Sequence, residues 1–289
     1  MRAAGVEAIG RAEELGVMGL VEVMGAIPVA WRLLNQLELA MDDADLLIVV
    51  DAPDFNLPLA RRARKKGLKV LWYVSPQVWA WRASRAHEIA ELAETVICLL
   101  PFEPQCYPDG KAVFLGHPVA EATRPLPAPQ GDIWCVAPGS RQQEVDRLLS
   151  VMLEATAGRP RRVSRAPGLD LVGVDGLRTA AEPAVACLVA SGTATLELAC
   201  MGRPMVVCYA VHPLTHFIGR RLVDAPFIAL PNLILGRRVV PEFVQDLDPV
   251  ILRAALLEAE RGQELSEVRQ RLRPEGALGR IADCVRSYL

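Results

Sequence analysis

The run Ala190-Ser191-Gly192-Thr193-Ala194-Thr195-Leu196-Glu197 says most about chemistry in this sequence. An apolar stretch ends in a turn of small residues that opens a helix. Small side chains let a phosphate approach the backbone, and the exposed amides and helix dipole favour negative charge there. Glu197, one turn into the helix, is placed to accept hydrogen bonds from ribose hydroxyls. The plainer reading is a Ser/Thr helix cap followed by an acidic residue, and spacing alone supports both. Ala137-Pro138-Gly139-Ser140-Arg141 repeats the logic, with Glu144 behind it. Ser140 and Glu144 approximate a capping pattern. Arg141, however, is a cation at the positive end of a helix, unfavourable unless an anion or carboxylate sits beside it. It is therefore a candidate to neutralise a phosphate.

In Asp51-Ala52-Pro53-Asp54-Phe55-Asn56, two carboxylates follow the strand-like run Asp45–Asp51. Open α/β sheets place their sites at such C-terminal strand edges, where a carboxylate can act as general base toward an attacking hydroxyl. A proline turn with local Asx bonding explains the same residues. Ser75-Pro76-Gln77-Val78-Trp79-Ala80-Trp81 also follows a strand, and its two Trp suggest either an apolar ligand wall or packed core. His212 and His216 stand four apart with Pro213 between them and no adjacent carboxylate, a poor metal set. His87-Glu88-Ile89-Ala90-Glu91 lacks the second His of a metalloprotease motif. G-x-S-x-G, Walker A and G-x-G-x-x-G patterns are missing from the sequence, so serine hydrolase, P-loop and standard dinucleotide readings have no support.

The elements that must carry these residues alternate between strand and helix. Strands are expected at Asp45–Asp51, Lys69–Val74, Thr95–Leu100 and Val113–Leu115, with helices at Pro58–Lys66 and Ala83–Ala93. The first strand reads as a central parallel one, an apolar run rich in β-branched residues that ends in a carboxylate. Glu121–Gln130, with three prolines in ten residues, reads as a linker. Beyond it, strands are expected at Ile133–Ala137, Leu169–Val174, Val185–Ala190 and Pro204–Tyr209. Helices are expected at Gln142–Ala157, Thr193–Met201, Pro249–Arg261, Leu265–Leu272 and Gly276–Tyr288. This is the pattern of βαβ units and parallel sheets. It divides the chain into residues 1–120, the linker 121–130, a second α/β domain at 131–265 and a helical segment at 266–289.

Composition bounds the rest. The 289 residues are 52% hydrophobic and 23% charged, enough apolar material for two cores and too much for a disordered chain. The net charge is −2, and residues 1–120 hold twelve Lys and Arg against fifteen Asp and Glu. Residues 131–289 hold nineteen against eighteen, slightly better for an anion. With no basic face, nucleic acid is excluded as a main partner. Seven cysteines without a C-x-x-C pair, several in apolar runs, fit a reducing compartment and no disulfide scaffold. The N-terminus lacks a signal peptide's apolar core. No stretch approaches the roughly 18 apolar residues of a spanning helix. Leu15–Pro28, broken only by Glu22, reads either as a core helix or as a surface that dips into a bilayer.

Taken in order, YVSPQVWAWR, LPFE, GHP, PGSR-x-x-E, ASGTATLE and LPNLILGR resemble the lipid-A-disaccharide synthase family, from about Gly16 to the C-terminus. The resemblance implies a GT-B glycosyltransferase of two Rossmann-type domains facing a cleft, cytoplasmic and peripheral to the inner membrane. It implies transfer of diacylglucosamine from UDP-2,3-diacylglucosamine to 2,3-diacylglucosamine 1-phosphate, by inverting displacement without a metal or other cofactor. By the same resemblance Asp51 is the general base, supported by Asp54 and Asn56, and Arg141 stabilises the departing diphosphate. Gly139, Ser140, Ser191, Gly192, Thr193 and Thr195 bind the donor's phosphates, Glu197 its ribose, and Asn232 belongs to a donor-side loop. Ser75, Trp79 and Trp81 line the cleft near sugar or acyl chains. Val17 and Met18 belong to a lipid-facing surface, which favours the bilayer reading of Leu15–Pro28. A homodimer through the C-terminal helices is also allowed.

Two departures carry expectations. The family begins with a strand and a glycine-rich G-E-A-S-G-D loop that have no counterpart here, so the first domain should lack its opening βα unit. Fifty residues separate Arg141 from Ser191, a short interval that leaves out one strand–helix pair of the donor domain. Other readings on the same fold are a different UDP-sugar transferase or epimerase, and a catalytically silent nucleotide-binding remnant. A polar acceptor would need neither the Trp-rich segment nor the apolar N-terminal stretch.

Overall fold

Short, apolar, β-branched runs form most of the strands, and both sheets they build are wholly parallel. The computed structural model describes residues 20–129, 131–211 and 225–289, with side chains from Pro28 onward. Val17, Met18, the start of the Leu15–Pro28 stretch, Gln130 and the pair His212 and His216 lie outside the described residues. Helix α1 (Leu20–Ala40) contains Pro28. It precedes a four-stranded sheet of β1 (Leu46–Val50), β2 (Lys69–Tyr73), β3 (Thr95–Cys98) and β4 (Ala112–Phe114), in that spatial order. Helices α2 (Pro53–Lys65) and α3 (Arg85–Leu92) lie between its strands in sequence. A core of Trp72, Val70, Val96, Ile89 and Leu57 holds helices and sheet together.

β1 is not a central strand. Among the described residues it pairs only with β2, and Ile48 and Val50 are 43% and 53% exposed. Its continuous apolar run is what a strand buried on both faces would carry, so composition mispredicted its place. α2 also starts earlier than expected. Pro53 occupies a first-turn position, where its missing N–H costs nothing, and Pro58 falls inside the helix.

The second sheet has six strands in the order β10-β9-β8-β5-β6-β7. They are β5 (Ile133–Ala137), β6 (Arg161–Arg165), β7 (Val174–Asp175), β8 (Ala184–Ala190), β9 (Met205–Tyr209) and β10 (Glu242–Val244). Side chains alternate between two buried faces. Trp134, Val136, Ala186 and Leu188 meet α5 (Gln142–Ala155) and α9 (Pro249–Ala259). Cys135, Cys187 and Val189 meet α7 (Thr193–Met201), α8 (Leu230–Leu235) and α10 (Ser266–Arg271). All seven cysteines are free thiols. The chain winds outward from β5 through β6 and β7, then returns to β8 on the other side of β5. The ends of β5 and β8 therefore flank the point where strand order reverses, the usual ligand crevice of such sheets.

The expected loss of a strand–helix pair before Ser191 is half right. The strand is kept as the two-residue β7, paired parallel to β6, and α6 (Leu177–Ala181) follows it. What is absent is a helix in the β6–β7 crossover, where residues 166–173 form a loop. The expected strand Leu169–Val174 is mostly that loop. The true strand, Arg-Arg-Val-Ser-Arg at β6, hid behind its arginines. Their guanidiniums reach outward to the Thr156 and Thr179 carbonyls and to Asp175.

The proline-rich segment is no free tether. α4 (Pro118–Ala122) overlaps its start. The Leu126 N–H donates to the Met201 carbonyl (3.0 Å), and buried Arg203 donates to the Pro127 carbonyl (2.7 Å) and to the Ala181 and Glu182 carbonyls. The C-terminal helix α11 (Ala277–Arg286) crosses back to the first domain. Arg280 donates to the Leu115 carbonyl, His117 N–H to the Leu272 carbonyl, and Lys69 to the Tyr288 carbonyl. Gly116, with φ +106°, is required here, because a Cβ would stand 2.6 Å from the Arg273 carbonyl oxygen.

Candidate functional site

At the end of β1 the backbone is strained where the expected base sits. Asp51 and Ala52 are both left-handed, with φ of 45° and 40°. Non-glycine residues occupy that region at a cost of about 1–3 kcal/mol each, and persist only where surroundings enforce it. Asn56 enforces it. Its side chain is buried, and Nδ2 donates to the Val50 carbonyl (3.0 Å) and the Asp51 carbonyl (2.8 Å). Asn56 thus works through the backbone of Asp51. Asp51 is exposed, yet partial desolvation of its carboxyl raises its pKa against a smaller lowering by the Ala52 N–H. A raised pKa suits a general base.

The other first-domain candidates divide into rim and interior. Asp54 is exposed and ion-paired to Arg85 and, at 3.6 Å, to Arg82. Those guanidiniums lie over the Trp81 ring at 4.5 and 5.9 Å from its centroid, leaving Trp81 41% exposed. Ser75 points inward. It is buried, its hydroxyl donating to the Pro76 carbonyl and sharing a 2.9 Å hydrogen bond with the Tyr107 hydroxyl. It cannot also line an open cleft. Trp79 packs edge-on against Phe102 at 5.4 Å. One residue escaped the sequence reading except as part of a motif. Glu103 is buried and its Oε2 accepts the Leu99 and Leu100 N–H groups at 3.0 and 2.9 Å. Burial pushes its pKa up to about 7, opposed by those N–H groups and by a smaller pull from the Trp79 indole, while the Asp51 charge adds to the rise. A lone glutamate within LLPFEP was the available signal.

At the switch point of the second sheet, the two turns do converge. Arg141, Glu144, Arg147, Ser191 and Tyr209 line one cavity of about 150 Å³. That volume suits a phosphate-sized group rather than a whole nucleotide sugar. Gly192 supplies the α7 turn, with φ 152° and ψ −164°, a region essentially confined to glycine. Of the expected phosphate-binding groups, several are already committed. The Ser191 N–H donates to the Cys208 carbonyl and its hydroxyl to the Ile228 carbonyl. The Thr195 N–H and hydroxyl both donate to the Gly192 carbonyl. The turn's N–H groups that lack an acceptor among the described residues are those of Gly192, Thr193 and Ala194. Glu197 is half-buried with no hydrogen-bond partner among the described residues, and burial raises its pKa.

The Gly139–Ser140 turn is occupied by the protein itself. Glu144 Oε2 accepts the Ser140 N–H at 3.0 Å, and Oε1 accepts Arg141 Nη1 at 2.9 Å. Gly139, with φ +125°, leaves room for it. Asn232 is fully buried and saturated. It donates to the Val240 carbonyl and Glu242, and accepts the Val239 and Val240 N–H groups. It laces the loop that presents Ile228 to Ser191, and has no polar atom left for a ligand. Arg147 and Tyr209 join the cavity unannounced by sequence: nothing in a helix interior or a strand end flags a residue as facing another turn. Among the described residues, no group of three His, Cys, Asp or Glu could hold a metal ion.

Known proteins resemble this chain over nearly its whole length. A profile of the family described as lipid-A-disaccharide synthetase matches residues 1–159 and 165–274. A lipid-A-disaccharide synthase of Anaeromyxobacter dehalogenans is 39% identical over 331 aligned positions, covering 98% of this chain and 86% of that protein. One from Geobacter sulfurreducens is 38% identical, covering 85% and 74%. In fold, the chain is similar to Arabidopsis thaliana UGT89C1, solved with UDP-L-rhamnose, with a TM-score of 0.60 at 12% identity over 98% of this chain and 82% of that one. The architecture is GT-B.

Proposed function

The chain belongs to the lipid-A-disaccharide synthase family, and from that premise we propose that it makes the lipid A disaccharide as a hexosyltransferase. The donor is UDP-2,3-diacylglucosamine, the acceptor 2,3-diacylglucosamine 1-phosphate, and the products are lipid A disaccharide 1-phosphate and UDP. The carrying observation is that Arg141 and Ser191, from the two turns, line one cavity at the switch point of the second sheet. The acceptor hydroxyl loses its proton to the Asp51 carboxylate and its oxygen attacks the donor's anomeric carbon. The bond from that carbon to the diphosphate breaks on the opposite face, inverting the centre. Charge grows on the leaving UDP, and Arg141 with the free amides of Gly192, Thr193 and Ala194 stabilises it. Glu197, half-buried and without a partner among the described residues, takes the ribose hydroxyls. Domain closure brings Asp51 to the acceptor and excludes water from the activated sugar.

In this reading Asn56, Ser75 and Asn232 are positioning residues, and Asp54, Trp81 and Trp79 shape the acceptor side. α1, with Trp31 58% and Leu39 72% exposed, supports contact with the inner-membrane surface on the cytoplasmic side. No described helix is long and apolar enough to cross a membrane. The incompletely buried apolar face of α11, with Leu278 54% exposed, supports a homodimer through the C-terminal helices. A silent nucleotide-binding protein is the second reading, favoured by the outer edge of β1, which has no partner strand among the described residues. Calorimetric titration with UDP, paired with a turnover assay on acylated substrates, separates the two. UDP binding that R141A weakens, with turnover that D51N abolishes, supports the enzyme; binding without turnover supports the silent protein, and no UDP binding refutes both.

A further inference from the structure

The turn that the sequence offers to a phosphate already holds an anion. Glu144 Oε2 accepts the N–H groups of Ser140 and Arg141, at 3.0 and 3.4 Å, and Oε1 takes the guanidinium of Arg141. The fit is close: a Cβ on Gly139 would stand 2.5 Å from Oε2 and 2.7 Å from the Glu144 Cβ. A carboxylate edge presents two acceptor oxygens and negative charge to amides and a guanidinium, much as one edge of a phosphate does. Arg141 and Arg147 are the two cations lining the shared cavity; only Arg141 is paired with Glu144, and its side chain remains 64% exposed. Helix capping accounts for the bond to the backbone amides. It does not require a charge, and it does not require the second oxygen to hold Arg141.

We propose that Glu144 is a built-in counter-anion that competes with the nucleotide diphosphate for Arg141, and so weakens the hold on UDP and speeds its release. The inference rests on the nucleotide reading of this cavity. In the structure the carboxylate neutralises Arg141 and fills the Ser140 amide. When a diphosphate arrives on the open amides of α7, Arg141 turns its unused guanidinium N–H groups to the phosphate oxygens, and the Glu144 charge opposes the gain.

The test is Glu144→Gln in the whole chain. Glutamine fits over Gly139 and still accepts the Ser140 N–H, but its amide nitrogen cannot accept from Arg141. The expected result is UDP bound roughly tenfold more tightly at low salt, the gain shrinking as salt screens the charge. Uridine affinity should not move, and the gain should vanish in an R141A background. Glu144→Ala, which opens the Ser140 amide to solvent, provides the check should the glutamine variant fold poorly, and it too should bind UDP more tightly. Unchanged or weaker UDP binding by a variant that melts like wild type would overturn the proposal and make Glu144 a brace for Arg141. Failure of the wild type to bind UDP, or binding indifferent to R141A, would instead sink the nucleotide reading and this inference with it.

Discussion

Removing the Asn56 amide should damage turnover more than it damages the fold. The side chain is 7% exposed and contributes two hydrogen bonds, to the Val50 and Asp51 carbonyls. Each is worth about 1 kcal/mol net, with a further penalty of about 1–3 kcal/mol if a buried carbonyl stays unpaired. Against that, Asp51 and Ala52 sit in the left-handed region at about 1–3 kcal/mol each. Released from Asn56, they can relax toward ordinary dihedrals and return part of the loss. The net expectation for Asn56→Ala is about 2–4 kcal/mol of destabilisation, read as a shift in the urea midpoint. Relaxation also moves the Asp51 carboxylate, and a displacement near 1 Å is enough to lower kcat by about a hundredfold. UDP affinity should hold, because the donor turns belong to the other sheet. Asn56→Asp is the sharper variant: nearly the same shape, but its carboxylate confronts two carbonyl oxygens with no hydrogen to offer. It should be the worse of the two in turnover. If both variants fold and turn over like wild type, the claim that Asn56 aims Asp51 is refuted.

The remaining expectations concern glycine and protons. Gly192→Ala meets no atom within 4 Å, yet should cost about 1–3 kcal/mol through its dihedrals and weaken UDP binding; a neutral result in melting and titration would show that the turn tolerates side chains. Gly116→Ala collides with the Arg273 carbonyl, so it should loosen α11 and expose it to limited proteolysis, unlike a substitution at Gly67, where space is open. His117 Nδ1 accepts the Val119 N–H, and burial lowers its pKa to about 4. Its unfolded value is higher, near 6.5, so acid stabilises the unfolded state and stability should fall between about pH 6.5 and 4, by up to about 3 kcal/mol. Glu103 runs the other way. Its folded pKa, about 7, exceeds its unfolded value, so the folded state gains stability as pH drops from about 7 to 4.5. The two slopes oppose each other across the shared window, so wild type should look nearly flat there. Glu103→Gln should unmask the acid-side loss, and an equally flat variant would contradict both assignments.

Legibility in the sequence followed locality. Strand Ile133–Ala137 and helix Thr193–Met201 coincide with the expected bounds, because an apolar run and a capped helix are decided by neighbours along the chain. The short motifs carried the family and the positions of Asp51, Arg141 and the Ser191 turn. Strand order is another matter: β1 and β8 look alike as apolar runs, and only pairing put one at an edge and the other beside β5. β6 was misread because its arginines send their charged ends to the Thr156 and Thr179 carbonyls and to Asp175 while the backbone pairs between β5 and β7.

What the residues alone determined was which turns are fit to face an anion and which carboxylate could take a proton. What folding decided was the commitment of each polar atom. Ser75, Ser191, Thr195 and Asn232 read as ligand contacts, and each spends most or all of its hydrogen-bonding capacity on other groups of the protein. Glu144, read as a cap, reaches the guanidinium expected to wait for phosphate. Side-chain type states what a group can bond to; only the distances between elements far apart in sequence state what it does bond to, because a buried polar atom must take whichever partner packing brings within about 3 Å.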